Sequence, residues 1–166
     1  TFPELYNNSL KIASYLKVNV GEGNNIILIS PNNIFFITAY LGILKSGNTC
    51  VPLNFAVEQE TLDFISETTS CKNVFIAKSI YSKLNFAADI QCIDETQLTD
   101  IVGFQKILDF PYDFNDATVA EIIFTSGSTG APKGFMITHG NMISNTGTIV
   151  EYLELTQKDI MCVVLP

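Results

Sequence analysis

Five short apolar runs that lack polar alternation set the strongest limit on what this chain can fold into. They lie at residues 26–29 (Ile-Ile-Leu-Ile), 49–53, 74–77, 90–93 and 119–124. A strand with one wet face alternates apolar and polar residues, whereas a strand covered on both faces reads as a continuous apolar run. Segments of helical length and spacing separate the runs, at 4–18, 34–45, 58–68 and, more weakly, 79–86. Strands and helices that alternate in this way predict an α/β fold, a mostly parallel sheet flanked by helices on both faces.

The punctuation agrees with that order. Gly21 and Gly23 close the first amphipathic helix, and Ser30-Pro31-Asn32-Asn33 offers a turn with an N-cap before the second. The second helix is apolar on nearly every face, as a covered helix would be, and ends at Ser46-Gly47. Phe35, Phe36 and Tyr40 on it read as core. Residues 94–117 show no strong periodicity and read as an irregular connection with one short helix near 101–108. After the strand at 119–124 comes a Gly/Ser/Thr loop, and Thr138-His139-Gly140-Asn141 then opens a helix running to about residue 153.

At 166 residues the chain has the length of about one domain. Charged residues make up only 16% of it, against roughly 25% in an average soluble domain, and 47% are apolar. Such a surface is expected to leave apolar area uncovered, which meets another domain, a partner or a second copy. The apolar run at 160–165 reads as one more buried strand, so the sequence reads as part of a larger domain. The net charge is −8 and all nine cationic residues are lysines. Nucleic-acid binding, which needs a basic surface and favours arginine forks, is excluded as a leading function.

Cys50, Cys71, Cys92 and Cys162 form no C-x-x-C pair and no cluster with the single histidine, so no zinc site is expected. They read as small buried hydrophobes of a reducing compartment, the cytoplasm. No apolar stretch reaches the ~20 residues that span a bilayer.

The chemistry concentrates in "TSGSTGAPKG", residues 125–134. Glycines at 127, 130 and 134 free the backbone to turn its N–H groups inward, four hydroxyls add donors, and Lys133 brings a positive charge. By composition alone the stretch is a linker or a phosphate cradle. Its place after a buried strand favours the cradle, because open α/β sheets bind ligands at the carboxyl ends of their strands. It is not a Walker A loop, since Lys133 follows proline and precedes glycine.

This loop, with Phe124 before it and Thr138-His139-Gly140-Asn141-Met142 after it, resembles the signature region of the adenylate-forming enzymes. These are the acyl-CoA synthetases, nonribosomal peptide synthetase adenylation domains, fatty acyl-AMP ligases and firefly luciferase. Upstream, "LISPNNIFFITAYLGILKSGNTCVPLN" is similar to a second segment of the same family, so the likeness spans most of the chain. It implies that residues 1–166 are an N-terminal subdomain of the adenylate-forming fold. It also implies that Thr125, Ser126, Ser128, Thr129 and Lys133, with the amides of Gly127 and Gly130, bind the β and γ phosphates of ATP. The implied reaction joins a carboxylate, an acyl chain by preference, to AMP, and passes it to coenzyme A or a phosphopantetheine carrier. The family's magnesium-binding glutamate, ribose-binding aspartate and C-terminal lysine have no counterpart here. The resemblance therefore implies a truncated fold, no catalytic residue within the chain and a magnesium ligand downstream of it. Residues 1–166 alone are expected not to complete adenylation.

Two single residues are read more plainly. His139, in the first turn of a helix, is expected to be neutral and to cap or pack. Glu121, early in a strand, is expected to be structural. The competing function is a non-catalytic module that binds nucleotide or a protein partner through its apolar surface.

Overall fold

The computed structural model describes residues 1–110, 115–125 and 132–160. Six strands make one sheet: β1 (Asn25–Ile29), β2 (Thr49–Leu53), β3 (Asn73–Ile76), β4 (Gln91–Ile93), β5 (Val119–Thr125) and β6 (Lys133–Thr138). Their order across the sheet is β4-β3-β1-β2-β5-β6, and every neighbouring pair is parallel except β5 with β6. The connecting helices are α1 (Phe2–Asn19), α2 (Ile34–Lys45), α3 (Gln59–Thr68), the single turn α4 (Lys78–Tyr81), α5 (Glu95–Phe104) and α6 (His139–Tyr152). The expected strand at 160–165 lies, beyond Ile160, outside the described residues.

The continuous apolar runs are explained by two cores, one on each face of the sheet. Ile26 and Leu28 of β1 point with Cys50, Phe75 and Ile93 toward Ile12 and Leu16 of α1 and Phe35, Ala39 and Ile43 of α2. Their alternates Ile27 and Ile29 join Val51, Leu53, Val74 and Ile76 under Leu62 and Ile65 of α3. Each strand residue thus exchanges water for side chains on its own face, worth roughly 1.5–3 kcal/mol for a fully buried Ile or Leu. Among the described residues no helix is long and apolar enough to cross a membrane.

Helix α2 packs so closely on α1 that a Cβ on Gly42 would lie 2.5 Å from Ile12 Cγ2 and 2.6 Å from Ile12 Cβ. The helix then stops in a Schellman turn: Gly47 adopts φ +79°, Asn48 N–H bonds Ile43 O at 3.3 Å and Gly47 N–H bonds Leu44 O at 3.2 Å. Asn48, 1% exposed, uses its side chain to hold this turn to the one before β1. Its amide donates to Gly21 O and Ser46 Oγ, both at 2.8 Å, and its carbonyl accepts from Asn24 N–H at 2.8 Å. This clasp sits at the amino-terminal edge of the parallel strands.

Three expectations need correction. Residues 94–117 are not wholly irregular, because α5 occupies Glu95–Phe104, ahead of the short helix expected near 101–108. Asp94 caps it, accepting from Thr96 and Gln97 N–H at 2.8 and 3.0 Å while Gln97 Oε1 accepts from Asp94 N–H. Leu98, Ile101 and Val102 pack toward the α1–α2 core. The helix expected at 79–86 shrinks to one turn: the Gln59 side chain takes both backbone groups of Asn85, and Leu84 and Phe86 reach the core from irregular chain. Finally, residues 133–138 form β6, so the Gly/Ser/Thr loop joins two antiparallel strands and does not run straight into a helix.

A second Schellman turn ends α3, but here a serine, Ser70, holds the left-handed conformation at φ 51°. An L residue loses about 1–2 kcal/mol there, more than the backbone entropy of glycine, ~0.5–1 kcal/mol. Ser70→Gly is therefore expected to stabilise the fold by about 0.5–1 kcal/mol. Urea unfolding checks this, and a lowered midpoint would refute it.

Candidate functional site

The parallel strands share one carboxyl-terminal edge, and β5 delivers Thr125 to it. Thr125 pairs with Lys133 as the last rung of the β5–β6 ladder, so both flanks of the loop are fixed by backbone bonds. Both side chains are exposed. Ser126, Gly127, Ser128, Thr129 and Gly130 lie outside the described residues. Gly134 follows Lys133 on β6 in a tight place, where a Cβ would come 3.0 Å from Ile122 Cγ2 and 3.1 Å from Phe124 Cζ. The rung beside Thr125–Lys133 can thus close tightly.

A helix N-terminus is another natural anion site, though one that follows β6 stands at the end of the hairpin away from the loop. That of α6 is already saturated. Thr138 and Asn141 form a reciprocal capping box, with Asn141 N–H on Thr138 Oγ1 and Thr138 N–H on Asn141 Oδ1, each at 3.1 Å. His139 N–H donates to Thr118 O at 3.0 Å and Gly140 N–H to Asp116 O at 2.9 Å. A Cβ on Gly140 would stand 3.1 Å from that same carbonyl. Every amide that could turn to a phosphate at this helix end has a protein partner. The His139 imidazole is held below its ordinary pKa by burial, partly opposed by the Asp116 carboxylate; burial, not the helix end alone, keeps it neutral.

Behind the loop, Glu121, Ile123 and Thr125 alternate onto the face of β5 opposite Ile122 and Phe124, which pack on the α3 side. Glu121 Oε2 accepts a hydrogen bond of 3.0 Å from the Tyr40 hydroxyl, which also lies 3.8 Å from Met142 Sδ of α6. Burial, reinforced by the Glu121 charge, pushes the Tyr40 pKa far above its ordinary value, so the hydroxyl remains a donor. Glu121 also lines an open groove of about 390 Å³ with Ile137, Asn141, Met142, Asn145 and Thr146. Tyr40 and Glu121 are 81 positions apart, and sequence reading placed them separately as core and structural residues. The only signal was their character, a tyrosine on a covered helix and a carboxylate in an apolar strand.

The cysteines offer no reactive centre among the described residues. Cys50 and Cys71 are buried and Cys92 half-buried; burial raises all three pKa values, that of Cys92 to about 11. Thiols held protonated in this way are poor nucleophiles. Cys162 lies outside the described residues.

Comparison with known proteins follows the same lines. The chain is 30% identical over 146 residues to nonribosomal peptide synthetase 4 of Gibberella zeae, covering 87% of this chain and 2% of that protein. It is 24% identical over 155 residues to 4-hydroxyphenylalkanoate adenylyltransferase of Mycobacterium tuberculosis, covering 87% and 25%. The fold matches ATP-bound MatB from Rhodopseudomonas palustris with a TM-score of 0.77 at 24% identity, over 92% of this chain and 32% of that one. It matches the L. pneumophila fatty acyl-adenylate ligase, in complex with acyl adenylate and pyrophosphate, with a TM-score of 0.76 at 24% identity, over 94% and 28%. The chain thus spans a quarter or less of the length of these two curated relatives. The family described as AMP-binding enzyme matches residues 1–166 throughout, and the chain belongs to that family.

Proposed function

We propose that residues 1–166 are the N-terminal portion of an ATP-dependent, carboxylate-activating ligase and supply its pyrophosphate-binding loop. The observation that carries this reading is the closure of a Gly/Ser/Thr loop by the Thr125–Lys133 rung at the carboxyl edge of a parallel sheet.

In the proposed reaction a carboxylate oxygen attacks the α-phosphorus of ATP, the bond to the bridging oxygen breaks, and pyrophosphate leaves with the electron pair. Thr125, Ser126, Ser128, Thr129 and Lys133, with the Gly127 and Gly130 amides, hold the β and γ phosphates. They neutralise the charge that builds on the leaving group and keep it in line. Magnesium accompanies the nucleotide, its ligand supplied from outside this chain. The acyl-adenylate then passes its acyl group to a thiol, of coenzyme A or of a phosphopantetheine carrier. An acyl chain is the substrate we favour; an amino acid is the alternative that the peptide-synthetase relatives support.

A second reading has one observation in its favour. Neither β6 nor α6 contains a fully buried residue, and Met136 is 70% and Tyr152 83% exposed. That apolar surface suits a non-catalytic interaction module, or self-association through the same face.

Carboxylate-dependent ATP–pyrophosphate exchange by the native polypeptide carrying residues 1–166 separates the two. Exchange with one class of carboxylate, fatty or amino acids, is the expected result. A folded protein that exchanges with none, and whose melting temperature ATP leaves unchanged, would establish the module instead.

A further inference from the structure

The hairpin that carries the loop joins the rest of the sheet through β5 alone. Among the described residues β5 has one registered pair with β2, Cys50 with Glu121. The β5–β6 register itself shifts between Val119 and Glu121, which interrupts the ladder at this level. Beyond it, β6 and α6 contribute no fully buried side chain to either core. Ala120 is buried and Ile122 and Phe124 pack on the α3-side core, so what remains to hold the face of β5 that carries Glu121 is a set of specific contacts.

Tyr40 makes those contacts. Its ring is stacked on Phe36 of the same helix, with centroids 6.0 Å apart and planes 8° from parallel, which fixes its direction. Its hydroxyl reaches Glu121 on β5 at 3.0 Å and Met142 on α6 at 3.8 Å, so one side chain of α2 touches both the strand that leads into the loop and the helix that follows β6. Glu121 shares its face of β5 with Thr125, two alternations further along the strand. A tilt of β5 at Glu121 is carried to Thr125 and, through the ladder, to Lys133.

We propose that Tyr40 and Glu121 are positioning residues, a tether from α2 that sets the angle of the β5–β6 hairpin and so the placement of Thr125 and Lys133. This rests on the reading of the loop they flank as the ATP phosphate site. Tyr40 and Glu121 touch no reacting atom in this scheme; they act through Thr125 and Lys133.

The test uses Tyr40→Phe, which removes only the donor, with Glu121→Ala and Glu121→Gln, in the native polypeptide. Amide hydrogen exchange is read without nucleotide. Tyr40→Phe and Glu121→Ala are expected to speed exchange about tenfold in 119–125 and 133–138 while leaving 26–29 unchanged. Acceleration everywhere alike would mean a general loss of stability and would overturn the proposal. In pyrophosphate exchange the same two variants should raise the KM for ATP about five- to tenfold, with the KM for the carboxylate within about twofold. Glu121→Gln keeps an oxygen for the Tyr40 hydroxyl and should stay close to wild type. If Lys133→Ala weakens ATP use but Tyr40→Phe does not, the tether is wrong and the loop assignment stands. If neither changes ATP use, the loop assignment fails, and localised hydrogen exchange alone decides whether the tether exists.

Discussion

Replacing Lys133 by alanine is expected to lower kcat/KM for ATP in pyrophosphate exchange by roughly 30- to 1,000-fold, the equivalent of about 2–4 kcal/mol of lost charge stabilisation. The side chain is exposed and its residue is held in β6 by backbone pairing to Thr125, which alanine preserves. Stability should accordingly change by no more than about 0.5 kcal/mol, as for an ordinary surface substitution. That contrast gives the experiment its value: lost activity with an unchanged unfolding midpoint locates the effect in nucleotide chemistry. Activity within threefold of wild type would remove Lys133 from the phosphate site. Steady-state exchange at varied ATP, run beside chemical denaturation of the same samples, measures both.

The second large effect is on folding. Gly42→Ala is expected to destabilise the protein by about 2–3 kcal/mol, and Gly42→Val by more. On helix propensity alone alanine should gain about 1 kcal/mol over glycine, so two opposed terms compete. The contact decides it. The new Cβ would stand 2.5–2.6 Å from two atoms of Ile12, one of which is that residue's own Cβ, and 3.2 Å from Ser9 O. A rotamer change cannot move a Cβ, so α1 itself must shift, taking Ile12 and Leu16 out of the core they fill on β1. Guanidinium unfolding reports the sum, and a gain near 1 kcal/mol would show that α1 yields freely.

The parallel core was legible because strands covered on both faces leave an unbroken apolar record, which is why β1 to β5 could be placed from residue type alone. Elements whose partners are polar were not. Helix α5 is announced by Asp94 and Gln97 at capping-box spacing, followed by apolar Leu98, Ile101 and Val102, a signal that reading for strong periodicity passed over. Strand β6 holds the apolar run Phe135-Met136-Ile137, but it is a short edge strand with nothing fully buried, wedged between the Gly/Ser/Thr loop and the cap of α6, and was passed over as part of that connection. The site divides the same way. The composition of residues 125–134 singled out the loop, whereas its setting in a hairpin depends on the long-range pairing of β5 with β6. The Tyr40–Glu121 bond, across 81 positions, depends on the reach of a side chain of α2 to β5 in the folded chain. No local pattern contains either.

The Asn48 clasp lies at the edge of the sheet opposite the Thr125–Lys133 rung. In the proposed function, the Asn48 contact and the handling of the ligand thus lie at opposite ends of the same strands. An engineer can therefore rigidify the turns around Asn48, or repair Ser70, without reshaping what the nucleotide meets. The loop residues can be varied to retune that encounter against a scaffold whose reserve is held elsewhere.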